Sequence, residues 1–340
     1  MSDALLPQLG RRHLVQGLLG VSGAAALLFV CLYRTEPAHL IKSFGALTLS
    51  AALPALLCEI SVQLSKALKW QAILSRVKKV RYSSTLSAVV VGAASTHLLP
   101  LRLDEIVRSA LLARREGIAP GTVLGTVAID RIIELLVAGT VLLAAALILD
   151  LPGWMVTCCW VLGAILGIAV VAAVVLLKSE KTIAHWLHSS RFTVGPWLAR
   201  GLSSINLGLR SLPKGRAMLF VIAGAAGEWA ATILFYLWML HVFGIVCGGE
   251  VPLIMAIGNS VAYMVPNVPG ALGMYEGVQS GILEGLAAVE PSKALAVAFA
   301  SHAILMIPVT VTGLVIGIWE FRSTNGQQPA ASSHSIAEKD

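Results

Sequence analysis

Hydrophobic and polar positions alternate along this chain in blocks. Six apolar runs are long enough to cross a bilayer core about 30 Å thick as helices of roughly 20 residues: 14–33, 44–64, 123–149, 154–177, 217–241 and 296–319. Two further apolar stretches are interrupted. Ser83 to Glu116 breaks at Leu98-Leu99-Pro100-Leu101-Arg102, and Leu253 to Val289 breaks at Val265-Pro266-Asn267-Val268-Pro269-Gly270. Proline lacks a backbone N–H and pushes the residue before it out of the helical region, so each stretch predicts two short helices about a break. The pattern predicts an all-α polytopic membrane protein: one transmembrane domain over residues 1–322, with about six full spans and two broken hairpins. The polar residues 323–340 are expected to form a disordered cytoplasmic tail.

Composition agrees with the blocks. Of 340 residues, 57% are apolar and 13% charged, against roughly 25% charged in soluble domains. The formal net charge of +7 lies in short loops between apolar runs, which points to membrane topology and not to nucleic acid. Arg11 and Arg12 precede a first run longer than a signal-peptide core of about 7–15 residues, so that run is expected to be an uncleaved span. Cys31, Cys58, Cys158, Cys159 and Cys247 have neither disulfide-framework nor zinc spacing. A pairing of Cys31 with Cys247 is the one disulfide worth considering.

Lys and Arg set the orientation. The segment 65–81 carries Lys66, Lys69, Arg76, Lys78, Lys79 and Arg81, and 178–216 carries seven basic residues, so both are expected on the cytoplasmic side with the two termini. The connections 150–153 and 242–251 have no basic residue and are expected outside. Parity then requires the first broken stretch to leave and return on the inside, and the second on the outside. Two hairpins entering from opposite faces signal an inverted repeat. Glu59 precedes Pro100 by 41 positions and Glu228 precedes Pro269 by the same 41.

Charge inside a membrane persists only where it is paired, watered or bound to something. Asp130, Arg131 and Glu134 share one helical face with net charge −1 and require a cationic neighbour, which Arg102 or Arg108 could supply. Arg102, Asp104, Glu105 and Arg108 occupy the tip and second limb of the first hairpin, and its arginines suit a lipid phosphate. The competing readings are a structural ion-pair network and an interfacial amphipathic helix. Asn267, Pro269 and Gly270 mark the second tip, with Glu276 just beyond it. Glu59 and Glu228 are lone acids in apolar spans and are candidate proton-coupling residues. Gly273, Gly277, Gly281 and Gly285 recur every four residues as a predicted close-packing stripe. His97 and His302 read as hydrogen-bonded core histidines. The sequence has no phosphate-binding loop, dinucleotide fingerprint, zinc-protease helix or nucleophile elbow. No enzyme activity, cofactor or metal is expected.

Three stretches together resemble a known family: His97-Leu-Leu-Pro-Leu-Arg-Leu-Asp-Glu-Ile-Val-Arg108, Ile129-Asp-Arg-Ile-Ile-Glu134 and Pro266-Asn-Val-Pro-Gly-Ala-Leu-Gly-Met-Tyr-Glu-Gly277. In order and spacing they are similar to the lysylphosphatidylglycerol synthase transmembrane-region family, also described as flippase-like membrane proteins, over about residues 14–320. Leu101 and Asp104 stand where that family usually has glycine. The aminoacyl-transferase domain of the bifunctional members has no counterpart after position 322. The resemblance implies movement of an anionic or modified phospholipid between leaflets of the cell membrane, with membrane lipid as substrate. The alternative is a non-catalytic membrane partner of a lipid-modifying or glycan-assembly enzyme.

Overall fold

The computed structural model describes residues 48–99, 103–149, 213–263 and 269–325, with isolated positions at 33, 45 and within 153–171. Among the described residues there are eight α-helices, one 3-10 turn and no strand. They are α1 (Leu49–Leu74), α2 (Tyr82–Leu98), α3 (Asp104–Glu116), α4 (Pro120–Ile148), α5 (Arg216–Val242), α6 (Glu250–Ala262), the 3-10 turn Pro269–Ala271, α7 (Met274–Ala287) and α8 (Pro291–Asn325). Four helices are long and apolar enough to cross a membrane: Leu49–Leu74, Pro120–Ile148, Arg216–Val242 and Pro291–Glu320. Their outward faces carry exposed Leu53, Leu57 and Ile60 on α1, Leu219 and Phe220 on α5, and Val311, Val315 and Trp319 on α8, as lipid contact requires. The predicted span 14–33 falls almost wholly outside the described residues and 154–177 is described only at scattered positions; Cys31, Arg102, Asn267 and the tail from 326 onward lie outside them.

Local chemistry fixes the helix ends. The Thr48 hydroxyl caps α1 by accepting the Ala51 N–H at 3.3 Å. α3 carries Asp104 and Glu105 in its first turn and Arg114 and Arg115 in its last, matching the helix dipole at both ends. Gly117 stops α3 in the left-handed region, and Pro120 opens α4, where its missing N–H costs nothing.

α1 corrects the sequence reading. It continues past Leu64 to Leu74, so Lys66 and Lys69 belong to the helix and not to the loop. Neither glycine nor proline interrupts Ser65–Leu74, and Ala67, Lys69, Trp70, Ile73 and Leu74 bury one helical face. The basic loop itself is residues 75–81.

The two broken stretches form hairpins opening on opposite faces. Lys78 donates to the Glu116 carbonyl and Arg115 pairs with Glu320 at 3.0 Å, so the ends of α1, α3 and α8 share one face, here the basic face. Trp238 near the end of α5 donates to the Ala51 carbonyl at 2.7 Å, which makes α5 antiparallel to α1. α6 and α7 therefore open on the far face. At 13 and 14 residues, α6 and α7 each extend only about 20 Å, short of a bilayer core of about 30 Å. The tips meet inside. Gly270 is in the left-handed region (φ 61°), and a Cβ there would lie 3.6 Å from the His97 carbonyl and 3.1 Å from the Met306 sulfur.

The halves α1–α4 and α5–α8 thus run in opposite senses, and each lends its last helix to the other's hairpin. α2 packs on α8, where His97 Nδ1 and the Thr310 hydroxyl lie 2.8 Å apart. α6 packs on α4 through Ile254 and Ile257 against Leu142 and Ala145. This reciprocal arrangement is what an inverted repeat produces.

Glycine enables the tightest contacts, although not at the last two positions of the predicted stripe, Gly281 and Gly285. A Cβ at Gly224 would lie 2.8 Å from the Ser65 carbonyl and 2.9 Å from the Lys69 nitrogen, so α1 and α5 touch backbone to backbone. At Gly281 and Gly285 a Cβ would meet nothing within 4 Å among the described residues. Gly281→Ala is expected to leave stability unchanged or raise it by up to about 1 kcal/mol through helix propensity, read by thermal unfolding in detergent. A loss above about 1 kcal/mol would mean that a packed neighbour covers that face.

Candidate functional site

A buried charge cluster joins α1, α3, α4 and α5. Its centre is Lys69, whose side chain is 1% exposed. The Lys69 ammonium lies 2.9 Å from Glu228 Oε2, 3.1 Å from Glu134 Oε1 and 3.3 Å from Asp130 Oδ1. The other Asp130 oxygen accepts from Arg108 Nη1 at 3.1 Å. Arg131 donates through Nε to Glu105 at 2.9 Å, through Nη1 to Glu134 at 2.6 Å and through Nη2 to Asp104 at 2.8 Å. Lys66 stands 3.7 Å from Glu228 at the edge. The carboxylates of Asp104, Glu105, Asp130, Glu134 and Glu228 thus outnumber the cations of Lys66, Lys69, Arg108 and Arg131 by one. Reciprocal pairing makes these charges tolerable away from water.

Arg108 is less satisfied than its neighbours. Its guanidinium lies 5.0 Å from the centre of the Trp70 ring, a cation–π contact, and Trp70 is fixed in turn by its indole N–H donating to the Thr126 hydroxyl at 3.1 Å. Arg108 Nε and Nη2 have no hydrogen-bond partner among the described residues, and neither does Asp104 Oδ1. Buried donors without partners cost about 1–3 kcal/mol, more when charged. The space beside them is a cavity of about 450 Å³.

That cavity is lined by two sorts of group. The charged ones are Glu59, Lys66, Asp104, Glu105, Arg108, Arg131, Glu134 and Glu228. The neutral ones include Gln63, Thr96, His97, Asn259, Ser260 and Tyr263. Gln63 Nε2 donates to Glu59 Oε1 at 2.6 Å, while Gln63 Oε1 and Asn259 Oδ1 have no partner among the described residues. The matched acids Glu59 and Glu228 therefore face one space from neighbouring helices.

The structure brings together Asp104, Glu105, Arg108, Asp130, Arg131 and Glu134, as their spacing suggested. Arg108 supplies the cationic neighbour expected for Asp130. Gly270 lies at the second hairpin's tip against His97, and Pro269 begins the same 3-10 turn. Glu276 stands apart from the charge cluster: one carboxylate oxygen accepts the Gly273 N–H at 2.7 Å and the other lies 2.6 Å from His302 Nδ1. Sequence reasoning missed Lys69, Gln63, Asn259 and Tyr263. For Lys69 a signal existed, since Glu59, Gln63, Lys66 and Lys69 or Trp70 recur at helical spacing.

The family model for the lysylphosphatidylglycerol synthase TM region matches residues 17–313. No curated protein matches the chain.

Proposed function

The chain belongs to the lysylphosphatidylglycerol synthase TM-region family, and from that premise we propose that it carries an anionic or modified phospholipid between membrane leaflets. It is an integral membrane protein of lipid metabolism or transport. The observation that carries the finer reading is Arg108: a buried guanidinium with two donors unpartnered among the described residues, on a side chain that lines a cavity between opposed hairpins. Two N–H groups on one planar guanidinium match two phosphate oxygens. A cavity of about 450 Å³ suits a head group whose acyl chains stay in lipid. Arg131 has a different part, because all three of its nitrogens hold carboxylates; it locks α3 to α4 and so aims Arg108. Small opposite movements of the two hairpins would open the cavity to one leaflet and then the other. By the positive-inside rule the basic face is cytoplasmic. This reading assigns transport, with no chemical turnover of the lipid.

The test is transfer of fluorescent phosphatidylglycerol and phosphatidylethanolamine between leaflets of vesicles containing the purified protein, read by quenching of the outer leaflet. Arg108→Ala is expected to slow transfer at least tenfold, and Arg108→Lys, which keeps charge without the planar fork, to fall between. Transfer at the wild-type rate in Arg108→Ala would remove Arg108 from the site.

A further inference from the structure

Behind Tyr263 in the cavity wall lies a second polar chain that the phosphate site does not use. Glu276 and His302 are both buried, at 1% and 3% exposure. Glu276 Oε1 lies 2.6 Å from His302 Nδ1, and His302 Nε2 lies 3.2 Å from the Tyr263 hydroxyl. Tyr263 lines the cavity. The chain therefore runs carboxylate, imidazole, phenol, open space. We propose that Glu276, His302 and Tyr263 form a proton relay opening on the cavity, with His302 the group that takes up and releases the proton.

The hydrogen bonds set the resting state. Glu276 already accepts the Gly273 N–H at 2.7 Å, as a carboxylate does. His302 then holds its proton on Nδ1 and donates it to Glu276, which leaves Nε2 as an acceptor for the Tyr263 hydroxyl. A proton arriving from the cavity is taken by the Tyr263 oxygen as the phenol passes its own to Nε2. The phenol remains neutral and the imidazole becomes an imidazolium. A buried site of net charge −1 becomes an ion pair of net charge zero. Tyr263 then accepts from Nε2–H, and its hydroxyl proton turns toward the cavity.

The surroundings suit both states. From α7, Tyr275 stacks on His302 with ring centres 4.3 Å apart, where an imidazolium gains from the π face. From α5, the Tyr236 hydroxyl holds the Tyr275 hydroxyl at 2.9 Å. From α2, His97 lies 6.1 Å from Tyr263, ring to ring, and from α1, Glu59 lines the same cavity. The relay joins α6, α7 and α8, so the protonation state of His302 alters the bond fastening the first limb of the second hairpin to the last helix. Proton uptake would in this way bias hairpin movement. That coupling rests on the lipid-transport reading, whereas the relay itself does not.

The relay is tested first without lipid transfer. Full-length protein in nanodiscs of phosphatidylglycerol and phosphatidylethanolamine is stepped from about pH 8 to about pH 5 in weakly buffered solution, and the protons bound are counted with a dye. Wild type is expected to bind one more proton per chain than His302→Gln; equal uptake overturns the relay. Tyr263→Phe keeps the imidazole and Glu276 and is expected to bind the same number at least tenfold more slowly. Uptake as fast as wild type removes Tyr263 from the path. In vesicles of the same lipids, a pH gradient is expected to speed transfer of the fluorescent probes by wild type and not by His302→Gln. Wild-type transfer indifferent to the gradient overturns the coupling. No transfer of either probe overturns the transport reading and leaves the proton count to judge the relay.

Discussion

Replacing Lys69 with alanine is expected to destabilise the protein by about 3–5 kcal/mol, the usual cost of removing one partner from a buried charge pair. The loss falls unevenly on its three carboxylates. Asp130 keeps Arg108 and Glu134 keeps Arg131. Among the described residues Glu228 keeps only Lys66, at 3.7 Å and with a side chain 38% exposed, a contact worth little. Most of the cost is therefore the charge stranded on Glu228. This yields a sharper expectation: the pair Lys69→Ala with Glu228→Gln should recover more than half of the single-site loss. A double-mutant cycle on unfolding in detergent measures the coupling. If the two substitutions add, Lys69 and Glu228 do not work as a pair and the cluster is organised differently.

Gly313→Ala is expected to cost about 1–3 kcal/mol by overpacking. A Cβ at that position would lie 2.7 Å from the Val90 carbonyl and collide with the Ala94 methyl. Neither can swing aside, since one is backbone and the other is fixed to it, so α2 and α8 must part. The His97–Thr310 hydrogen bond sits about one turn away on the same interface and should be lost with the separation. Gly317→Ala is the control. There the nearest atom would be a Val91 methyl at 4.0 Å, and unfolding should shift by less than about 0.5 kcal/mol. Equal effects at the two glycines would refute the close approach.

Much of the architecture was legible in the sequence because a membrane imposes coarse rules. Block length gave α4 and α5 to within three residues and α8 to within six at each end. The proline-centred interruptions gave both hairpins, and counting basic loops gave their opposed entry. The site was legible where charge lay within apolar sequence, as at Asp130, Arg131 and Glu134. Lys69 escaped because hydropathy treats lysine as the end of a span, while three carboxylates from two distant helices make it tolerable inside. Those partners lie as much as 159 positions away, and nothing local reports them. Gly281 and Gly285, the last two positions of the glycine stripe, misled for the converse reason: spacing places small residues on one face but cannot say whether a helix lies against it. Gly224 and Gly313 carry the close contacts without any repeat to announce them. His302 read correctly as a hydrogen-bonded histidine, yet its partners, drawn from both limbs of the broken hairpin, required the fold.

The exchange of last helices between halves also sets a timetable for biogenesis. His97 on the first hairpin waits for Thr310, 213 residues later. At about 5–20 residues per second, a ribosome needs on the order of 10–40 s to supply it. Through that interval α2 lacks its cover of α8, and the His97 ring lacks the Thr310 hydroxyl. The N-terminal half is therefore short of one packing partner until the C-terminal half arrives, and a chain halted before α8 is expected to be less stable in the membrane than the whole one.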